Sequence, residues 1–353
     1  MTDAADTGAA APKRRSLIDT LELDTRLLGM IGAFIILCVT FDLVTDGRFL
    51  TPRNIFNLTI QTVSVAIMAT GMVFVIVCRH IDLSVGALLA ACSASMAMIQ
   101  TSILPQYFGM ELGGPMIWAI AAASGIVVGG LIGALQGWLV GYLTIPAFIV
   151  TLGGLLIWRN VGWYMTDGQT IGPLDPTFMM FGGTNGTLGA GASWAIGALA
   201  AALCVYAIWQ GRRRKQKHGF TVKPLWAEFA LGLIAVGAIM GFVAILNSYE
   251  VPTRRLARMF AARGEEMPEG YTEAYGLPIS VLLLIVVAIV MTIIAQRTRL
   301  GRYIFATGGN PDAADLSGVN TRLLTVKIFA LVGVLCAISA VVASARLTNH
   351  SND

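Results

Sequence analysis

Residues Pro115 to Tyr142 read PMIWAIAAASGIVVGGLIGALQGWLVGY, with no Asp, Glu, Lys or Arg anywhere in the stretch. About 20 predominantly apolar residues in a helix cross a hydrocarbon core of roughly 30 Å, so this stretch alone predicts a membrane span. Within it Gly125, Gly129, Gly133, Gly137 and Gly141 recur every four residues. Steps of four overshoot a helical turn by about 40° each, which makes the row a slowly wrapping stripe rather than a straight seam. Between helices in lipid, where packing and dispersion drive association, glycine allows backbones to come close. The expected role of the stripe is helix packing; shaping a polar pathway is the alternative.

Working outward, eight more stretches have the same character: 27–45, 54–78, 83–104, 145–165, 193–210, 225–246, 277–296 and 323–345. The chain of 353 residues is 56% apolar and only 12% charged, against about 25% charged in soluble domains. That is too little charge to coat a water-soluble globule. The predicted fold is all-α, a polytopic transmembrane helical bundle of about nine spans. A polar tail, 1–26, precedes a membrane domain, 27–353. The tail carries Lys13, Arg14 and Arg15 and no small-residue cleavage site, so it reads as a cytoplasmic N-terminus rather than a removed signal.

Basic residues in short loops set orientation. With the N-terminus in the cytoplasm, parity puts Arg212, Arg213, Arg214, Lys215 and Lys217 inside, together with Arg297, Arg299, Arg302 and Arg322. The segment 247–276 falls outside, its four arginines offset by Glu250, Glu265, Glu266, Glu269 and Glu273.

Several chemistries find no residues to carry them. The sequence has no Gly-Lys pair and hence no phosphate loop. Cys38, Cys78, Cys92, Cys204 and Cys336 are scattered in apolar runs, and His80, His218 and His350 stand apart. Neither a metal site, a disulfide framework nor a catalytic group is expected, and a net charge of +4 does not suggest nucleic acid. No cofactor is called for.

The polar features at membrane depth are few. Arg79-His80-Ile81-Asp82-Leu83-Ser84 forms a break between two spans, where Asp82 or Ser84 is expected to cap the next helix. Pro146 predicts a helix start at Ile145–Pro146, and Thr151, Gly153 and Gly154 place a polar side chain and exposed, weakly helical backbone at membrane depth, where it is expected to face protein or a water-filled cavity. Gln61, Thr62, Ser64, Gln136 and Thr151 are candidates to line a polar route, with helix–helix hydrogen bonding as the alternative for each.

The loop 297–322 holds the most specific segment: Gly308, Gly309, Asn310, Pro311, Asp312, Ala313, Ala314, Asp315, Leu316, Ser317 and Gly318. Asn310 is a predicted N-cap, Pro311 the first helical residue, Asp312 a first-turn acid and Gly318 the stop. Two turns are too few to stand alone in water, so the helix is expected to dock on something, with small apolar bulk from Ala313, Ala314 and Leu316.

Together, Ile81 to Gly86, Ile145 to Gly153, and Gly301-Arg302 through Gly308-Gly309-Asn310 to Leu316-Ser317-Gly318-Val319-Asn320 resemble the permease subunits of bacterial ABC importers for monosaccharides. The resemblance runs from about residue 27 to the end, and the longer insertions at 211–224 and 247–276 favour the xylose-type branch over the compact ribose type. It implies a homodimer in the bacterial inner membrane, an ATPase subunit inside and a periplasmic sugar-binding protein outside, with residues 310–318 as the helix that couples to the ATPase. Family members continue past Ala345-Arg346-Leu347-Thr348-Asn349 with further spans, so the chain reads as truncated or shortened. Other readings of the sequence are a permease for another sugar, a polyol or a nucleoside, and an ion-coupled secondary transporter. The latter would need intramembrane ionisable pairs and internal repeats, which are scarce here.

Overall fold

The structure is a computed structural model and describes residues 24–220 and 222–351. The predicted tail therefore lies outside the described residues for all but its last three positions. In chain order the helices are α1 (Thr25–Val44), α2 (Pro52–Val77), α3 (Val85–Met98), α4 (Leu104–Phe108), α5 (Ile117–Gly141), α6 (Ala147–Met165) and α7 (Pro176–Met179). They are followed by α8 (Gly189–Lys217), α9 (Leu225–Asn247), α10 (Thr253–Arg263), α11 (Ile279–Arg297), α12 (Arg299–Gly309), α13 (Pro311–Leu316) and α14 (Thr321–Leu347). A π-helical turn, Ile99–Ile103, joins α3 to α4 without a break in the helix.

Proline sets many of these starts. Pro52 and Pro311 are the first residues of α2 and α13, and Pro146, Pro224, Pro252 and Pro278 are the N-caps of α6, α9, α10 and α11. Its fixed φ suits a helix entry, and its missing N–H would be unpaired there in any case.

Among the described residues eight helices are long and apolar enough to cross a membrane: α1, α2, the α3–α4 rod, α5, α8, α9, α11 and α14. The ninth expected span, α6, is a helix of 19 residues whose second half carries Trp158, Arg159, Asn160, Trp163 and Tyr164, which thins its apolar character. It begins at Ala147, with Pro146 as cap, slightly later than expected. The weakly helical backbone predicted around Thr151 is not found. Helix α6 is continuous there, and the Thr151 hydroxyl donates to the Ala147 carbonyl at 2.8 Å within its own helix.

The chain divides into two compact units. One comprises the described residues up to Ile55 with Gly191–Ser248, so α1, most of α8 and α9 belong to it. At the cytoplasm-predicted end of α8, Arg212 pairs with Glu228 of α9 at 2.8 Å and also donates to the Lys223 carbonyl at 3.0 Å. Arg213 stacks over Trp209, 3.8 Å from the ring centre.

The other unit runs from Phe56 to Ala190 and from Tyr249 onward, and α14 is its centre, with 72% of its apolar window buried. Along α14 the glycine row of α5 makes its close approach. A Cβ on Gly137 would stand 2.7 Å from the Val326 Cα, one on Gly141 2.6 Å from the Arg322 carbonyl oxygen, and those on Gly129 and Gly133 would collide with the Gly333 and Phe329 carbonyls. Gly125, at the other end of the row, faces Met96 of α3 instead. The stripe wraps from one neighbour to the next, as a period of four on a helix of 3.6 residues per turn requires.

At the α4 end of the unit, Asp175 is wholly buried and fully used. Its carboxylate accepts from the N–H groups of Thr177, Phe178 and Gly113, and its own N–H donates to Gln100 of the π turn at 2.9 Å. Residues around Ile171 pair through backbone hydrogen bonds with His350, whose Nδ1 lies 2.9 Å from the Ser93 hydroxyl.

Candidate functional site

Two neighbouring features of the second unit concentrate its polar chemistry. The first is the corner formed by α12 and α13. Asn310 does two jobs there: its N–H donates to Ala306 and closes α12, while its side-chain oxygen accepts from the Ala313 N–H at 3.1 Å and opens α13. Asp312 sits in the first turn, at the positive end of the helix. At the far end Gly318 has a φ of 86°, the Val319 N–H reaches back to Ala314 and the Gly318 N–H to Asp315. That is a Schellman closure, and it satisfies carbonyls that would otherwise be orphaned.

The faces of α13 are unequal. Ala314 is 5% exposed and seats the helix on its own protein, whereas Leu316 is 91% exposed. The apolar residues of the helix therefore divide into one seat, Ala314, and two outward residues, Ala313 and the knob Leu316. Beside the knob lies a polar cleft of about 360 Å³, lined by Asp315, Gly318, Val319, Asn320 and Arg322.

Helix α12 was not legible as a helix. Its signals are Thr298, whose hydroxyl accepts from the Gly301 N–H, and the buried pair Gly301 and Ile304. Gly308 lets its last turn lie against the Val77 carbonyl at the end of α2.

The second feature is the break between α2 and α3. Arg79, with a φ of 63°, ends α2 in the left-handed conformation usually given to glycine. Its guanidinium donates to the carbonyls of Gly308 at 3.0 Å and Gly309 at 2.8 Å, and so caps the C-terminus of α12. No Arg79–Asp82 ion pair forms among the described residues.

Asp82, 5% exposed, accepts instead from the Ser84 N–H at 2.8 Å and the Ser84 hydroxyl at 2.7 Å. The expected capping role is thus corrected. Ser84 occupies the N-cap of α3 without a side-chain cap bond, and Asp82 is turned to Ser84 itself. Gln136 of α5 joins from the other side, its amide 3.0 Å from the Ser84 hydroxyl, and Thr151 of α6 approaches the Ile81 carbonyl at 3.3 Å.

The hydrogen-bond count orients the amide. Ser84 has one hydroxyl proton, and the short contact to Asp82 takes it. The Gln136 contact must then be completed by an amide N–H, which turns the amide oxygen away from Ser84. Both the far end of this amide and the Trp158 indole nitrogen are buried without another partner and lie around the missing Cβ of Gly154, the indole 3.3 Å from that point. Of the five candidate pathway residues, Gln136 and Thr151 thus lie at one buried knot, while Gln61 and Thr62 are exposed on α2, Ser64 is half-buried there, and all three lie outside it.

Burial raises the Asp82 pKa above its ordinary 3.8, opposed by the two bonds from Ser84. A raised carboxyl pKa in the fold means stability is greatest with the group protonated and falls as pH rises above 3.8 through the folded value. Asp82→Asn keeps the acceptor oxygen and removes the desolvated charge. It is expected to hold or raise the thermal midpoint in detergent at neutral pH and to flatten its pH dependence. Asp82→Leu strands the Ser84 donors and is expected to lose about 1–3 kcal/mol.

These features define a class, a polytopic helical membrane protein with a polar break beside a short helix capped at both ends. The chain belongs to the family described as branched-chain amino acid transport system / permease component, whose model matches residues 54–209 and 247–353. It is 32% identical over 338 residues to the xylose transport system permease protein XylH of Escherichia coli (strain K12), covering 96% of this chain and 76% of that protein. It is 33% identical over 320 residues to XylH of Haemophilus influenzae, covering 90% of this chain and 75% of that one. The ribose import permease protein RbsC of Escherichia coli (strain K12) is 26% identical over 303 residues, covering 86% of this chain and 64% of RbsC. No solved structure matches the chain.

Proposed function

We propose that this chain is the membrane-spanning permease subunit of an ATP-binding-cassette importer, carrying xylose or a related monosaccharide across the bacterial inner membrane. The observation that carries the reading is α13, sealed at both ends yet holding Leu316 out at 91% exposure. A helix of six residues is too short to stand alone in water, and its exposed leucine favours a docking partner. Its partner is an ATPase subunit that receives the knob, which accounts for a permease sequence without a phosphate loop. A periplasmic sugar-binding protein at the other face, a second permease copy beside it and lipid around both complete the assembly, with the N-terminus in the cytoplasm. Xylose rests on the relatives named for it, and ribose is the alternative that RbsC brings.

Motion at α13 has a route into the spans. Asn310 ties α13 to α12, Arg79 clamps α12 to the end of α2, and the Asp82–Ser84–Gln136 knot lies a few residues on. ATPase closure would shift α13 and α12 together, and the Arg79 clamp would pass that shift to α3, α5 and α6.

The clamp is kept at a cost, since a left-handed non-glycine residue loses roughly 1–2 kcal/mol. Arg79→Gly relieves that strain and removes the clamp. Its expected result is a thermal midpoint near that of the unsubstituted protein, with several-fold more ATP hydrolysed per sugar transported in proteoliposomes. An unchanged ratio would remove Arg79 from the route.

The function itself is tested by co-reconstituting the chain with the ATPase and binding protein of its system. Xylose uptake should follow ATP and survive collapse of ion gradients. Uptake that persists without the ATPase and stops with the gradient would establish the secondary-transporter reading instead.

A further inference from the structure

Helices α8 and α9 form a hairpin, and both are long and apolar enough to cross a membrane. Near one end they touch, where a Cβ on Gly197 would stand 2.8 Å from the Val243 side chain. At the other they are tied by the Arg212–Glu228 pair at 2.8 Å. The family pattern, matched at 54–209 and 247–353, leaves residues 210–246 outside it. That stretch holds the basic end of α8 and nearly all of α9, so this hairpin lies outside what the family shares.

From the tied end inward the two helices leave an apolar groove. Val205, Ile208 and Trp209 form its wall on α8, and Phe229, Leu233 and Val236 its wall on α9. Gly232 keeps it open, since a Cβ there would meet nothing nearer than Ile208 at 3.9 Å. The cavity is about 400 Å³ and continues along α8 to Ala201. From Ala201 to Arg212 the groove runs about 16 Å at 1.5 Å per residue, half of a hydrocarbon core of roughly 30 Å. It has the depth of one lipid leaflet.

The mouth of the groove is charged. Arg212 lines it, and its Nη1 donates to Glu228 and to the Lys223 carbonyl, while its Nε and Nη2 have no partner among the described residues. Arg213 is held over the Trp209 ring that walls the groove. Arg214, Lys215 and Lys217 follow, all exposed, with His218 and Lys223 in the turn. Glu228 is the sole acid from Gly191 to Tyr249, and it is already paired. Helix α1 of the same unit opens on Asp24, which is turned onto the Arg26 N–H.

Basic residues in the last turn of a span follow from topology and the helix dipole alone. Here they stand over an apolar groove, and each half of that combination rejects a different ligand. A free anion gains nothing from hydrocarbon walls, and a neutral lipid gains nothing from the arginines. An anionic phospholipid uses both, since basic pockets between spans hold phosphate head groups. Tyr206 and Trp209, both exposed beside the mouth, are the residue types that sit at head-group level.

We propose that the α8–α9 groove binds one anionic phospholipid, its phosphate on Arg212 and Arg213 and an acyl chain laid along Val205 and Val236. The inference needs only that the two helices cross a membrane, and it stands apart from the importer reading. The test uses the whole chain, purified in detergent, stripped of lipid and offered phosphatidylglycerol and phosphatidylcholine in equal amounts. Native mass spectrometry should find one phosphatidylglycerol retained, preferred by about tenfold or more. R213Q/R214Q/K215Q/K217Q keeps the Arg212–Glu228 tie, and should lose that preference while holding the lipid-free thermal midpoint. Gly232→Leu fills the groove without touching a charge and should retain neither lipid. Phosphatidylglycerol brominated in its acyl chain should quench the emission of the unsubstituted protein by an amount that disappears in Trp209→Phe, which decides the point if Gly232→Leu does not fold.

Equal retention of the two lipids by the unsubstituted protein, or retention of neither, would overturn the assignment. So would quenching that is the same in Trp209→Phe, which would place the lipid elsewhere. Displacement of phosphatidylglycerol by an equal concentration of glycerol phosphate would reduce the groove to a free-anion site. Full retention in a folded Gly232→Leu would leave the basic turn acting alone, as surface charge.

Discussion

Leu316→Gln is expected to abolish ATP-driven uptake while leaving the permease folded and inserted. Leu316 touches little of its own chain, so its loss withdraws no core packing. Glutamine keeps the length and good helix propensity of leucine, and it avoids setting a negative charge at the negative end of α13. On the proposed importer reading, what it removes is an apolar anchor of the ATPase contact. Such anchors are worth about 2 kcal/mol or more, roughly thirtyfold in affinity. The expected readouts are normal yield and thermal midpoint, loss of the co-purified ATPase and uptake at background. Ala314→Arg looks equivalent from sequence, but Ala314 is the buried seat, so that change would unseat α13 and lower stability as well. ATPase binding at full strength in Leu316→Gln would eliminate α13 as the contact.

The difference between those two residues shows where sequence reading succeeds. The ends of α13 are set by local chemistry, since Asn310, Pro311 and Gly318 each act within a few residues of themselves. Which of Ala314 and Leu316 points outward depends on what α13 rests against, and that is tertiary. Helix α12 was hidden for a related reason: glycines at 301, 308 and 309 are poor helix formers. Two of them are helical because neighbours require a close approach, Gly301 against the last turn of α11 and Gly308 against Val77.

Asp82 and Ser84 look like a local cap because they adjoin a helix start. Gln136, 52 residues on from Ser84, and Gly154 of α6 lay beyond any local pattern. Thr151 was read as a sign of irregular backbone, whereas its hydroxyl folds back onto its own helix and leaves the helix intact. The spans were legible because the bilayer imposes length and composition on every one of them. The least certain by composition, α6, is the one that carries Arg159 and Asn160.

Gly133→Ala is expected to destabilise the protein where the same change at Gly153 does not. Each substitution gains about 1 kcal/mol of helix propensity, so propensity cancels between them. At Gly153 nothing lies within 4 Å of the added Cβ, and the midpoint should hold or rise. At Gly133 the methyl would collide with the Phe329 carbonyl oxygen, with the Phe329 carbonyl carbon at 2.9 Å and the Ala330 Cα at 3.1 Å. These are backbone atoms of a buried helix, and they yield only if α5 and α14 part. Overpacking of this kind costs about 1–3 kcal/mol, and here the pair that separates is the centre of its unit. Thermal unfolding in detergent should show Gly133→Ala well below both Gly153→Ala and the unsubstituted protein, with lower yield. Equal midpoints would mean that α5 and α14 are not in backbone contact. The expected result has a mechanical consequence. Helix α14 follows directly from α13, so a seam with no slack makes α5 and α14 one lever, and a push on α13 must swing the two together or not at all.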